Sequence, residues 1–226
     1  MKASRSIQKT NYQRLLEKKL EALRGGERVP TLLLHACCAP CSSYVLEYLS
    51  EYFAITVLFY NPNIEPEAEF ERRFAELVRL TGEMPMAGVP EVVKGAYEHE
   101  RFFELAKGLE DVPEGGERCT RCYRLRLEET ARAAKAGSYD YFTTTLSVSP
   151  YKNAEKLNRI GAELAEAYGV PYLFSDFKKH DGYLRSIRLS GEYHLYRQDY
   201  CGCVYSKAQA EKRKRDREAS NPETKN

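Results

Sequence analysis

The sequence has no tryptophan and only four histidines, and no apolar run approaches the roughly 20 residues that a membrane span needs. His35, His99, His180 and His194 are too few and too scattered for a histidine-rich metal site. His35, two residues before Cys37, is placed near the chemistry, where it is expected to orient a loop rather than to ligate metal. Gly-x-Gly-x-x-Gly occurs nowhere, so the nicotinamide-binding fingerprint is missing. The first 30 residues hold no apolar h-region, so no secretory signal is expected and a cytoplasmic location is. Net charge is only +2, which by itself does not announce a nucleic-acid binder.

What is present is a core and a set of thiols. An apolar fraction of 42% with 30% charged residues suits one domain with elaborations. In a reducing compartment seven cysteines argue for metal binding or redox catalysis over a disulfide framework. Positive charge is concentrated in Lys207 to Arg217 and in Arg118, Arg121, Arg124 and Arg126, which crowd a cysteine pair; such clusters neutralise phosphates or simply solvate a helix face.

Along the chain, residues 7–24 read as an amphipathic helix with Leu15, Leu16, Leu20 and Leu23 on one stripe, stopped by Gly25-Gly26. Thr31–His35 and Ala54–Tyr60 are almost wholly apolar, as strands buried on both faces are. A helical pattern begins at Ser42. Further helices are expected at Glu65–Leu80 (closed by Thr81-Gly82), Glu98–Leu109, Arg118–Ala136 and Asn153–Tyr168. A weak strand is expected around Met84–Val93, a strong one at Tyr139–Leu146 and a short one at Val170–Phe174. From Asp181 the pattern is helical and polar, with a loop around Tyr200–Val204. Strands alternating with helices predict an α/β fold, a parallel sheet of Rossmann-like (HUP-type) topology flanked by helices, with added helices at the C-terminus. The expected organisation is an N-terminal helix (1–28), one α/β catalytic domain with C-terminal helices (29–218) and a disordered tail (219–226).

Every cysteine falls in one of three clusters. Cys37, Cys38 and Cys41 lie where a strand gives way to a helix, the edge at which open α/β sheets bind ligands. Cys119 and Cys122 open another predicted helix, and helix N-termini favour thiolates. Cys201-Gly-Cys203 sits in a loop. Buried structural cysteines would be scattered among core positions instead. Two close groups about 80 residues apart plus a Cys-x-Cys point to metal or redox work, with zinc as the rival occupant. One glycine between Cys201 and Cys203 permits a small strained ring, the labile kind of disulfide, or else supplies a further ligand pair.

Four segments resemble the QueH-type epoxyqueuosine reductases: His35-x-Cys-Cys-Ala-Pro-Cys-Ser42, Glu117-Arg-Cys-x-x-Cys-Tyr-x-x-Arg126, Thr143-Thr-Thr-Leu-x-x-Ser-Pro-Tyr-Lys152 and Tyr196-Arg-Gln-x-Tyr-Cys-Gly-Cys-x-Tyr-Ser206. The resemblance implies a cytoplasmic oxidoreductase of queuosine biosynthesis that reduces an epoxide at the tRNA wobble position to an alkene. It further implies a [4Fe–4S] cluster on Cys37, Cys38, Cys119 and Cys122 and a redox-active Cys201–Cys203 pair. Cys41 is left over, a candidate ligand for an additional iron ion. The partners implied are tRNA bearing epoxyqueuosine and an unidentified electron donor, with no membrane.

Bottom-up chemistry agrees with a reductase, because epoxide to alkene needs two electrons, two protons and loss of water. With no nicotinamide site, a cluster or a dithiol must carry the electrons. Unstacked RNA bases are held between aromatics and arginines, and Tyr123, Tyr151, Tyr183, Tyr196, Tyr200 and Tyr205 flank charged motifs. Lys152 and Arg121 are the candidate substrate-binding residues, and Asp176, His180 and Asp181 the candidate acids. Two alternatives compete. An ATP-pyrophosphatase-type tRNA-modifying enzyme would need a phosphate-cradling loop after the first strand, but that loop here has thiols and no glycine. A zinc-stabilised RNA-binding protein would be colourless where a cluster protein is brown.

Overall fold

Adjacent apolar residues make a stable strand only where both faces of the sheet are covered, and Thr-Leu-Leu-Leu-His is such a run. In the computed structural model, which describes residues 10–220, it forms β1 (Thr31–His35). β1 pairs with β2 (Ala54–Phe59) on one side and β4 (Tyr141–Thr144) on the other, and β3 (Glu91–Lys94) lies outside β2. All pairings are parallel and the order is β3-β2-β1-β4.

Side chains alternate across the sheet with period two. Leu32, Leu34, Val57 and Phe59 enter one core with α1 (Tyr12–Leu23), α2 (Ala39–Leu49) and α3 (Glu67–Glu83). Leu33, Leu58 and Phe142 enter another with α5 (Glu117–Ala136) and α6 (Ala154–Tyr168). α4 (His99–Ala106), α7 (Gly182–Glu192) and α8 (Val204–Ser220) complete eight α-helices among the described residues. This is the expected Rossmann-like α/β architecture with C-terminal additions, and no described helix is long and apolar enough to cross a membrane.

Several boundaries move for identifiable reasons. α1 starts at Tyr12 because the Asn11 side chain accepts the Arg14 N–H; residues 7–9 of the expected helix lie outside the described residues. Leu16 and Leu20 are buried, whereas the adjacent Leu15 is turned to solvent, since neighbours on a helix diverge by about 100°. α2 begins at Ala39, three residues before the expected start, because Pro40 needs no N–H in a first turn. α3 runs through Thr81-Gly82, where the Thr81 hydroxyl bonds the Val78 carbonyl. β4 stops at Thr144, whose side chain accepts the Leu146 N–H and starts a 3-10 turn over Thr145–Val148. The expected strand at Val170–Phe174 reduces to one bridge, Phe142 with Tyr172, since Pro171 has no N–H for a ladder. Ala219 and Ser220 belong to α8, and the rest of the expected tail lies outside the described residues.

The order matters for function. The chain leaves β1 toward β2 and β3, then returns to add β4 on the other side of β1. Ligands bind at such a switch point, beyond the carboxyl ends of the strands.

Candidate metal and redox site

His35 ends β1 and Thr144 ends β4, in register with each other. The fully buried imidazole is held at both nitrogens: Nε2–H donates to the Tyr60 carbonyl at 3.1 Å, and Nδ1 accepts from the Thr144 hydroxyl at 2.8 Å. Burial, then Arg126, lowers its pKa to about 4, so it is neutral. Neither nitrogen is free for metal, so His35 orients the loop that follows.

That loop delivers the first thiols. Cys38 is the N-cap of α2, and the Sγ atoms of Cys37, Cys38 and Cys41 all lie within 4.8 Å of one another. Cys37 and Cys38 are 3.8 Å apart, close to the ~3.8 Å edge of a tetrahedron with metal–sulfur bonds of about 2.3 Å. The three can hold a metal ion. Hydrogen bonds from Cys38 and then Cys41 keep the Cys37 thiol well below its usual range, while the bonds to Cys37 and Cys38 push Cys41 up.

Cys119 lies in the first turn of α5, its sulfur accepting the Gly115 N–H at 3.2 Å, and Cys122 is buried one turn on. Burial raises the Cys122 thiol to about 12. Cys203 immediately precedes α8, and its sulfur accepts the Ser206 N–H at 3.3 Å in the manner of an N-cap. The third cluster, expected in a loop, therefore also stands at a helix N-terminus. Gly202 between the two thiols has φ +121°, and a Cβ there would come within 2.9 Å of Ile64 and 3.1 Å of Arg73. Arg73 Nη1 donates to the Cys201 carbonyl at 3.1 Å and holds the loop.

The seven thiols, all free, form two neighbourhoods. Cys119, Cys122, Cys201 and Cys203 line a small inner cavity beside α5. Cys37, Cys38 and Cys41 line an outer cleft of about 520 Å³, and Cys201 lines both. Cys119 and Cys122 lie outside the 4.8 Å group, so the structure brings the Cys-Gly-Cys pair to them more plainly than it brings Cys37 and Cys38.

Lys152 lines the outer cleft, 6% exposed, with its ammonium 3.0 Å from Glu114. Burial opposes its charge, but Cys201, Tyr123 and Glu114 outweigh that and raise its pKa. Arg121, by contrast, is exposed, pairs with Glu117 and lines neither cavity. Arg124 also faces solvent, pairing with Glu163, whereas Arg118 and Arg126 are buried. Of the tyrosines, Tyr151, Tyr183 and Tyr200 line the cleft, and Tyr151 is 73% exposed. Asp176 pairs with Lys178 and His180 with Glu17, and neither they nor Asp181 line the cleft; its carboxylates are Glu114 and Asp199. Arg213, Lys214 and Arg217 bring α8 to the rim.

The sequence singles out Arg118, Tyr123 and Arg126 but neither Asn63 nor their shared burial around the thiols. Asn63, Arg118, Tyr123 and Arg126 line the inner cavity, and each is buried with a polar side-chain atom lacking any partner. Orphaned buried donors are rare. Four such residues around four thiols fit an anionic, sulfur-rich group, as an iron–sulfur cluster is. The available signal was the spacing of Cys122 and Arg126, four apart on one helix face.

A family model described as epoxyqueuosine reductase QueH matches residues 32–209. The chain belongs to that family. Among relatives of that name, one from Staphylococcus epidermidis is 44% identical over 88% of this chain and 85% of its own length. One from Streptococcus pyogenes is 40% identical over 88% and 79%, and one from Thermotoga maritima 37% identical over 78% and 90%. The matched span takes in the cysteines of all three clusters. Neither the ATP-using nor the zinc-only alternative finds support in these similarities.

Proposed function

We propose that this protein reduces epoxyqueuosine to queuosine in tRNA, at the wobble nucleotide, as the last step of queuosine synthesis. The observation that carries the reading is the convergence of three thiol-bearing helix N-termini on the switch-point edge of the sheet, in a chain of this family. The net change is two electrons and two protons in, and the epoxide oxygen out as water. Cys37, Cys38, Cys119 and Cys122 are the proposed holders of a [4Fe–4S] cluster, with Cys41 free for an additional iron ion. Bound there, the cluster would supply electrons one at a time.

The residues of the chain supply the rest. A wobble base is unpaired, so it enters a cleft of about 520 Å³ at little unpairing cost. Tyr151 offers a stacking face at the mouth, and Lys152, kept protonated inside the wall and paired with Glu114, offers ammonium N–H groups to the cleft. α8 carries six basic and three acidic residues and places three basic ones on the rim, where RNA phosphates would pass. Arg121 is left for phosphates beyond the cleft.

Cys201 and Cys203 are proposed to cycle between dithiol and disulfide during turnover. Their place beside Cys119 and Cys122 favours a second reading, in which they are ligands. Iron and sulfide counts after anaerobic reconstitution separate the two. Cys119→Ala should lose the visible absorption, and the double variant Cys201→Ala/Cys203→Ala should keep it while losing turnover. A double variant without iron moves the pair to the ligand set.

A further inference from the structure

Arg126 is 1% exposed, and no described carboxylate pairs with it. Two other buried cations near the thiols have carboxylate partners, Arg73 with Glu69 and Lys152 with Glu114. Arg118 spends Nη1 on the carbonyls of Leu109 and Glu110 and packs its guanidinium over Tyr205. Arg126 reaches the Cys122 carbonyl from Nε at 3.4 Å and Asn61 Oδ1 from Nη1 at 3.3 Å, both long, and Nη2 has no partner. A buried charge without a counterion is costly, and removing one is often neutral or stabilising. Nothing in the fold alone explains keeping it.

The thiols do. Arg126 lines the inner cavity together with Cys119, Cys122, Cys201 and Cys203, and Cys122, Cys201 and Cys37 are the sulfurs that most favour its charge. Asn63, buried with both amide atoms unpartnered, lines the same cavity.

We infer that Arg126, seconded by Asn63, is a positioning residue that neutralises the thiolate-held group and raises its reduction potential. The inference rests on the cluster reading above. One-electron reduction adds a negative charge and no atom, so a fixed guanidinium stabilises the reduced form more than the oxidised one. Neutral replacement should therefore make reduction harder.

The test uses full-length protein, reconstituted anaerobically, in wild-type, Arg126→Met, Arg126→Lys and Asn63→Leu forms. Midpoint potentials come from dye-mediated titration, and unfolding midpoints from the metal-free proteins. Arg126→Met should shift the reduction equilibrium at least tenfold toward the oxidised form, about 59 mV for a one-electron couple. Arg126→Lys should shift it less, and Asn63→Leu should shift it in the same direction. Metal-free Arg126→Met should unfold no more easily than wild type. A purely structural role predicts the reverse, easier unfolding with an unmoved potential, and that result overturns the inference. If Arg126→Met binds no iron, the lysine variant decides: retention of the cluster supports the inference and its loss overturns it. A wild-type protein that takes up no iron and sulfide fails the cluster reading first, and this inference with it.

Discussion

Thr144 Oγ1 and His35 Nδ1 lie 2.8 Å apart, joining the carboxyl ends of β4 and β1 where the thiol loop departs. The hydroxyl donates to the ring and accepts the Leu146 N–H, so one side chain sets both the imidazole and the turn after β4. Thr144→Val keeps the shape and leaves a buried imidazole nitrogen unsatisfied, at a cost of about 1–3 kcal/mol. Denaturant unfolding of the metal-free protein reads this directly. An unchanged midpoint would mean that the ring does not need its partner.

The opposite ends of the same strands are tied by Asp140. Its carboxylate accepts from Arg28 at 2.5 and 2.6 Å and from the Thr31 backbone N–H at 2.8 Å. Those hydrogen bonds, Arg28's first, hold its pKa below the usual carboxylate range. The unfolded chain binds this proton more readily, so the stabilisation is present above the unfolded value of about 3.9 and is lost as pH falls below it. Asp140→Asn should flatten the acid limb of the stability–pH curve relative to wild type and change little at pH 7 beyond the missing ion pair, which solvent screens. Equal acid slopes in the two proteins would contradict this.

Gly202→Ala should be poorly tolerated, since φ +121° and the approach to Ile64 both exclude a Cβ. The expected cost exceeds about 1 kcal/mol. Because the strain falls between Cys201 and Cys203, activity should drop further than stability. Activity and unfolding midpoint measured together check it, and full activity in the variant would show that the pair's geometry is not demanding.

Replacing Arg213, Lys214 and Arg217 by Gln should weaken tRNA binding and raise KM at nearly constant kcat. For every phosphate no longer neutralised, the log–log salt slope should become shallower by about 0.7, the value for single strands. Titrations at several salt concentrations measure it. A slope equal to wild type would move the RNA interface off α8.

Much of this site could be read from the chain alone, and the reasons are local. Apolar runs ending in His35 and Phe59 mark strands, and the loop after β1 is where such a sheet binds its ligand. The positions of Cys38 and Cys119 at helix starts follow from Pro40 and Gly116 nearby. What the chain did not disclose depends on packing. In sequence the arginines around Cys119 and Cys122 read as phosphate contacts or a solvated helix face, yet Arg118 and Arg126 are turned inward by the face of α5 they occupy. Which thiols become neighbours depends on how the loops fold back over the sheet, and spacing in sequence carries no information about that. Asn63 carries no distinguishing mark in the sequence, and only its burial beside the thiols with both amide atoms unpartnered singles it out.

The central claim is tested by a single anaerobic turnover experiment. Wild-type protein, reconstituted with iron and sulfide and given a reductant able to reduce its metal centre, is incubated with epoxyqueuosine-bearing tRNA, and the digested nucleosides are analysed by mass spectrometry. Loss of one oxygen atom from the modified nucleoside, in proportion to protein, is the predicted result. An intact epoxide in the presence of fully loaded, reduced protein would contradict the account and leave only a metal-binding thiol site.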